Sequence, residues 1–391
     1  MNYPKNLDVA SKYNYKFWKD QPMTKFKEII SKEDQIVNVE SDKISKEPDV
    51  LPQGFVWSNI DFNSREQTNK LSEFLSKYYM VDQNEYFSGV YTAEFIEWIY
   101  KDKDSVAVTV NTEKNNSIVG VIIGRVIKLQ LNKNILDTVE TNFLCIHPKL
   151  RNKRLVPQLI KELKRQFNLK GYFHGTFVDT EYIYTPFATV KRFNRAINPK
   201  QLVETKYIRL EDKVNIKDVK KTLKLPEKPS KNFVKMEEHH IDQAFDVFNN
   251  YIGKYSCHII LNKKEFNDLF INNKFVTAYV KEDNDGNVLD FISYYFTHSN
   301  VLKYNEKFKV IRKANLFYYT CTNETEYRMI KDILVVARDN CMDVFNASEI
   351  MENQYVLKEL GFEENSANLH YYMYNWRTKS LKVNQLCYIN F

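Results

Sequence analysis

The run Glu140-Thr-Asn-Phe-Leu-Cys-Ile-His-Pro-Lys-Leu-Arg-Asn-Lys-Arg-Leu-Val-Pro157 joins an apolar strand pattern to a helix start through a turn carrying Lys149, Arg151, Lys153 and Arg154. A strand, a cationic turn and a helix N-terminus together make an anion site, because unpaired backbone N–H groups and the helix dipole both favour phosphate. Taken alone, four charges in a row are more often a solvated turn. Nine glycines in 391 residues leave little from which to build a Gly-rich phosphate loop, and no GxGxxG or GxxxxGKS/T run is present. A dinucleotide-binding or P-loop phosphate site is therefore not expected.

At 391 residues the chain exceeds what one core of roughly 250–300 residues supports, so two halves are expected. The apolar share of 43%, with 26 Tyr and 26 Phe, supplies ample core. Helical spacing predicts helices over Gln67–Tyr79, Glu94–Tyr100 and Val156–Phe167, and strands over Val106–Val110, Val119–Ile127 and Thr138–Ile146. The second half repeats that order: helices over Asp242–Tyr251, Lys264–Phe270 and Glu326–Arg338, and strands over Phe275–Lys281, Val288–Phe296 and Ala314–Thr320. The Lys-rich segment Ile216–Lys231, with Pro226 and Pro229, reads as the connection between halves.

Net charge is +7, which would serve nucleic acid, a membrane surface or a phosphate-bearing ligand and selects none of them. No RRM, KH or helix-turn-helix signature accompanies the basic residues, so a nucleic-acid partner is not expected. Cys145, Cys257, Cys321, Cys341 and Cys387 are widely spaced without a CxxC pair, which fits a reducing cytosol and no zinc site. No stretch approaches 18 uninterrupted apolar residues, and the N-terminus has no apolar signal core, so no integral membrane association is expected. Glu237-Glu-His-His240 reads as a polar surface turn and not as a metal site.

Four ordered motifs resemble the N-myristoyltransferase family. They are Glu140–Pro157, Tyr15-Lys-Phe-Trp-Lys-Asp-Gln-Pro22, Asp343-Val-Phe-Asn-Ala-Ser-Glu-Ile-Met-Glu-Asn353 and Asn368-Leu-His-Tyr-Tyr-Met-Tyr-Asn-Trp376. The resemblance implies an α+β fold of two acetyltransferase-like (GNAT-type) halves related by a pseudo-twofold, each a mixed sheet flanked by helices. Residues 1–212 would bind acyl-CoA, and residues 213–391 would carry the peptide groove and the terminal carboxylate. The implied reaction moves a myristoyl group from myristoyl-CoA, a co-substrate, onto the glycine amine of a Gly-initiated protein or peptide. No permanently bound cofactor or metal is implied, and a cytoplasmic monomer is expected.

Carried over by position, the backbone N–H groups of Phe143 and Leu144 would hold the thioester oxyanion. Cys145, Ile146, Arg151, Asn152, Lys153, Arg154, Leu155, Val156 and Pro157 would bind coenzyme A, with Tyr15, Lys16, Phe17 and Trp18 at the mouth of the acyl site. The α-carboxylate of Phe391 would be the base, and the apolar tail Leu386-Cys-Tyr-Ile-Asn-Phe391 favours its burial. Asp82, Phe87, Tyr91, Val178, Asn194 and Ser299 would contact the peptide. Departures gather there: the family's Y-T-A-G becomes Phe177-Val-Asp-Thr180, Y-W-H becomes Arg192-Phe-Asn194, and the acidic E-D-D-D loop becomes Val81-Asp-Gln-Asn84. The glycine-rich K-F-G-x-G-D-G likewise becomes Gly361-Phe-Glu-Glu-Asn-Ser-Ala367. The alternative reading is a catalytically weakened homologue that serves as an acyl-CoA- or protein-binding module.

Overall fold

Two long antiparallel strands, Ile118–Leu131 and Asn134–Ile146, form the spine of the first sheet, because their Val, Ile and Leu residues are buried on both faces. The computed structural model describes residues 3–82, 84–210, 214–303 and 305–391. Among these, the first sheet runs Phe55–Asn59, Ser105–Thr112, Ile118–Leu131, Asn134–Ile146, Gly175–Asp179, Leu369–Tyr374, Ala188–Val190. Cys257–Ile260 pairs with the far end of Ile118–Leu131, and Leu386–Cys387 pairs with Cys257–Ile260. The second sheet runs Glu363–Glu364, Arg192–Ala196, Val344–Ser348, Val310–Tyr319, Val288–Val301, Val276–Glu282, Phe233–Lys235, with Phe87–Val90 added to Val288–Val301.

Each sheet contains one parallel pair joined by a helix. Asn134–Ile146 lies parallel to Gly175–Asp179 across the helix Leu155–Leu169. Val310–Tyr319 lies parallel to Val344–Ser348 across Glu326–Asp339. Parallel neighbours need such a crossover, and the helices then cover the sheet faces. The expected α+β architecture of mixed sheets flanked by helices is what forms. The predicted helices and strands are present with ends displaced by a few residues.

Side-chain caps fix most helix starts: Ser64 accepts from Gln67 N–H, Thr92 from Phe95 N–H, and Thr325 from Arg328 N–H. The connecting segment is more ordered than its composition implies. It contains the helix Ile216–Thr222, and Arg338 donates to the carbonyls of Pro226 at 2.5 Å and Glu227 at 2.8 Å. A division at 212/213 falls outside the described residues. The sheets also trade strands along the chain, since Phe87–Val90 and Arg192–Ala196 join the second sheet while Leu369–Tyr374 joins the first.

Packing leaves no room for a side chain at Gly124, where a Cβ would stand 2.7 Å from Phe167 Cε2 and 2.8 Å from Val139 Cγ1. Gly124→Ala should therefore destabilise the protein by about 1–3 kcal/mol through overpacking, read as a lower urea midpoint.

Candidate active site

The ladder between the two spine strands slips at one place. Val121 pairs with Cys145 and Ile123 with Asn142, so Phe143 and Leu144 together oppose Ile122. Two residues against one is a β-bulge, and Phe143 sits in the left-handed region with φ of 53°. This conformation is costly for a bulky side chain, and strain of this kind is concentrated at functional positions. Phe143 is buried, and its ring packs against Tyr91 at 5.0 Å and Tyr79 at 5.3 Å between centroids. Burial raises the Tyr79 hydroxyl to about 12, and a backbone hydrogen bond from Phe143 opposes that shift.

Phe143 and Leu144 line a cavity of about 490 Å³. Ile122, Val139, Leu163 and Phe167 give it aliphatic and aromatic walls, and Trp18 stacks on Phe177 at 5.6 Å on another side. A channel of this size and polarity accepts a long hydrocarbon chain. At its other margin stand Val178, Asp179 and Arg192.

The basic turn leads into the helix Leu155–Leu169, whose start differs from the capped ones. Arg154 precedes it with φ of 59° and makes no side-chain cap. The first N–H groups are consequently available to an external anion. Asn152, Lys153 and Arg154 are exposed, and Leu155, Val156 and Pro157 are half-buried at the helix start. Arg151 instead braces the turn, donating to the carbonyls of Ile146 at 3.2 Å and Tyr78 at 3.0 Å.

The C-terminal tail runs beside the bulge. Glu140, fully buried, accepts from Arg125 Nε at 2.6 Å and from the Tyr388 hydroxyl at 2.8 Å. Asn390 donates to the same hydroxyl at 3.3 Å. The end of the Asn142 side-chain amide lies 3.0 Å from the Phe391 terminal carboxyl, 2.5 Å from Asn390 Oδ1 and 3.1 Å from the Thr141 carbonyl, all acceptors, so the orientation that satisfies the amide turns its NH2 toward them. The Phe391 ring is enclosed by Trp98, Tyr295 and Phe317 at 5.2–5.4 Å, with the Arg125 guanidinium 5.0 Å from its centroid. The partners of the last residue are therefore these groups, whereas Leu386 and Tyr388 are anchored deeper in the core.

The expected site residues are distributed unevenly around this centre. Trp18 and Val156 line the cavity with Phe143, Leu144 and Val178. Tyr15 is buried behind Trp18 with its hydroxyl on the Tyr182 carbonyl at 2.8 Å, Phe17 is half-buried and Lys16 exposed. Cys145 and Ile146 are core residues, and burial raises the Cys145 thiol to about 12, so it is inert. Asp82 folds its carboxylate back onto the N–H groups of Asn84 and Phe87. Phe87 packs on Tyr207, while Asn194 and Ser299 lie on the second sheet. Sequence reasoning overlooked Asn142 although it stands inside the decisive motif, and overlooked Tyr79, Asp179 and Arg192. The surface turn expected at His239 and His240 requires correction. His240 is buried, with Nδ1 accepting from Glu237 N–H at 2.9 Å and Nε2 against Glu282 at 2.8 Å, so both ring nitrogens are engaged.

Comparison with known proteins accounts for this geometry. The N-terminal and C-terminal domain models of myristoyl-CoA:protein N-myristoyltransferase match residues 35–190 and 204–386. The chain belongs to this family. A glycylpeptide N-tetradecanoyltransferase of Plasmodium falciparum is 32% identical over 96% of the chain and 93% of its own length. A probable glycylpeptide N-tetradecanoyltransferase of Caenorhabditis elegans is 30% identical over 98% and 87%. A crystal structure of Saccharomyces cerevisiae N-myristoyltransferase with bound myristoyl-CoA and inhibitors superposes with a TM-score of 0.90 at 28% identity, covering 97% of this chain and 94% of that one. Among the described residues no helix is long and apolar enough to cross a membrane.

Asp179 is a carboxylate of this cavity whose proton affinity the fold changes. Burial, and secondarily Glu181, lift its carboxyl from 3.8 to about 6, against hydrogen bonds from the Glu181 and Thr180 backbone. The folded state then binds the proton more tightly than the unfolded chain. Its contribution to stability is fully present below about pH 4 and is lost as pH rises through about 6. The difference in melting temperature between wild type and Asp179→Asn should change across that interval and be flat above pH 7.

Proposed function

We propose that the chain transfers the myristoyl group of myristoyl-CoA to the amino group of an N-terminal glycine on protein substrates. The observation that carries this is the bulge at Phe143 and Leu144, which lines an apolar cavity while the amide of the preceding residue, Asn142, stands 3.0 Å from the terminal carboxyl. A fourteen-carbon chain gains on the order of 10 kcal/mol by burial at about 0.8 kcal/mol per methylene, so the cavity walls suffice to bind it. The thioester carbonyl lies against the Phe143 and Leu144 N–H groups. As the glycine nitrogen attacks, the carbonyl electron pair moves to oxygen, and each donor is worth roughly 3–4 kcal/mol to the resulting oxyanion. Collapse of this intermediate breaks the carbon–sulfur bond, giving the amide and coenzyme A.

The Phe391 carboxylate takes the amine proton. A free α-carboxyl has a pKa near 3.3–3.7 against about 7.7–8.0 for an α-amine, so it is a weak base toward the resting ammonium. Bond formation makes the nitrogen far more acidic, and proton loss to a carboxylate then becomes favourable. Val178 offers no hydroxyl to relay this proton. Residues 1–212 are assigned to the acyl-CoA half, with Lys153, Arg154 and the helix start at the phosphates, and residues 213–391 to the peptide groove. Asp82, Phe87, Tyr91, Asn194 and Ser299 are assigned to that groove. A cytoplasmic monomer is the state we assign; the buried, unpaired Cys145, Cys257 and Cys387 suit a reducing compartment.

Removing Asn390 and Phe391 should lower the transfer rate by on the order of 10²-fold or more, with myristoyl-CoA affinity retained. Full activity of the shortened chain, followed as free coenzyme A release, would exclude the carboxylate as base. Replacing Lys153 and Arg154 together with Ala should weaken myristoyl-CoA binding and flatten its dependence on salt, measured by calorimetry at two ionic strengths.

A further inference from the structure

The second sheet presents one polar face. Thr297 lies opposite Lys313, Tyr295 opposite Asn315, Asn315 beside Asn346, and Asn346 opposite Asn194, while Arg192 stands two residues from Asn194 on the same strand. Directly paired residues project to one side, as do residues two apart along a strand. Amides tie this face together: Asn346 donates to Asn315 Oδ1 at 2.9 Å, and Asn315 donates to Thr297 Oγ1 at 3.0 Å. Lys313 donates to the buried Ser299 hydroxyl at 2.7 Å.

Two cations on this face are uncompensated. Among the described residues neither Arg192 nor Lys313 forms an ion pair, whereas the adjacent Lys191 bridges Glu364 at 3.1 Å at the sheet edge. Glu363, opposite Asn194, is exposed at that edge. Burial pulls the Lys313 amine down to about 8, and Arg192 acts in the same direction. His298, lowered by burial, Lys313 and Arg312, adds no negative charge. Partly buried like charges are unfavourable until an anion joins them. Arg192 lines the same cavity as Phe143 and Leu144, and its charge is felt by Tyr91, whose ring touches Phe143. Asp179 and Glu181 line the same cavity but, among the described residues, pair with neither cation, so the anion is one that a ligand reaching the thioester would supply. The helix start assigned to the coenzyme phosphates packs on the first sheet, so the peptide is the source.

We propose that Arg192 and Lys313 form a subsite for a carboxylate side chain close behind the substrate's N-terminal glycine. This rests on the glycyl-peptide transfer assigned above. The test compares fluorescent Gly-initiated peptides that carry Glu, Gln or Lys at successive positions. Affinity is read by anisotropy, with coenzyme A release from myristoyl-CoA followed in parallel. One position should favour Glu over Gln by about tenfold and disfavour Lys. Arg192→Gln with Lys313→Met should bring the Glu-to-Gln ratio close to one, and Arg192→Glu should turn the preference toward Lys, in variants whose melting curves remain cooperative. Equal affinities for all three peptides at every position would overturn the subsite, whatever the turnover. A Glu preference in binding without any coenzyme A release would support the subsite and overturn the transfer reading.

Discussion

The ion pair between Arg125 and Glu140 organises the centre of this molecule. Both side chains are buried, at 2.6 Å from one another, and Glu140 also accepts from Tyr388 near the end of the chain. Removing one partner from such a pair leaves an uncompensated charge, at a cost of about 3–5 kcal/mol, so neither residue tolerates loss of the other. Its value lies in geometry more than in net stability. Glu140 is on the strand that bulges three residues later, and Arg125 also covers the Phe391 ring. One interaction thereby sets the register of the spine strands, the path of the tail and the placement of the last residue.

Around that centre the two sheets handle different chemistry. The cavity on the first sheet is apolar and reads its ligand by length and shape, since every methylene adds a similar increment. The polar face of the second sheet is hydrogen-bonded and cationic, and reads by charge and direction. The bulge stands where the two meet, which is the arrangement a transfer between a lipid donor and a peptide acceptor requires.

Much of this was legible in the sequence. The helices and spine strands follow from apolar periodicity, and the decisive run Glu140–Pro157 is a strand, a turn and a helix start as read. Phe143 and Leu144 fall together on the cavity, with Trp18, Val156 and Val178. What escaped depends on neighbours remote in sequence. Asn142 is an ordinary strand polar residue until the tail, some 250 positions later, brings a carboxyl to it. Asp179 has an ordinary carboxyl until burial shifts it. Arg192 reads only as the start of a motif whose histidine is lost at Asn194 until the sheet places Lys313 on the same face. The short strands Cys257–Ile260 and Leu386–Cys387 carry too few residues for a period to be recognised.

The insertion of Leu369–Tyr374 between Gly175–Asp179 and Ala188–Val190 has a bearing on how the chain comes to be folded at all. The two flanking strands emerge from the ribosome close together in time, yet neither pairs with the other. Each presents an open edge to solvent until residues synthesised some 180 positions later close the gap. The first sheet is thus completed late and through contacts of very long sequence separation, a topology whose loop-closure entropy makes folding slow. During that interval the nascent sheet exposes the same pairing surfaces that drive aggregation, so its maturation in the cell is a natural occasion for chaperone protection.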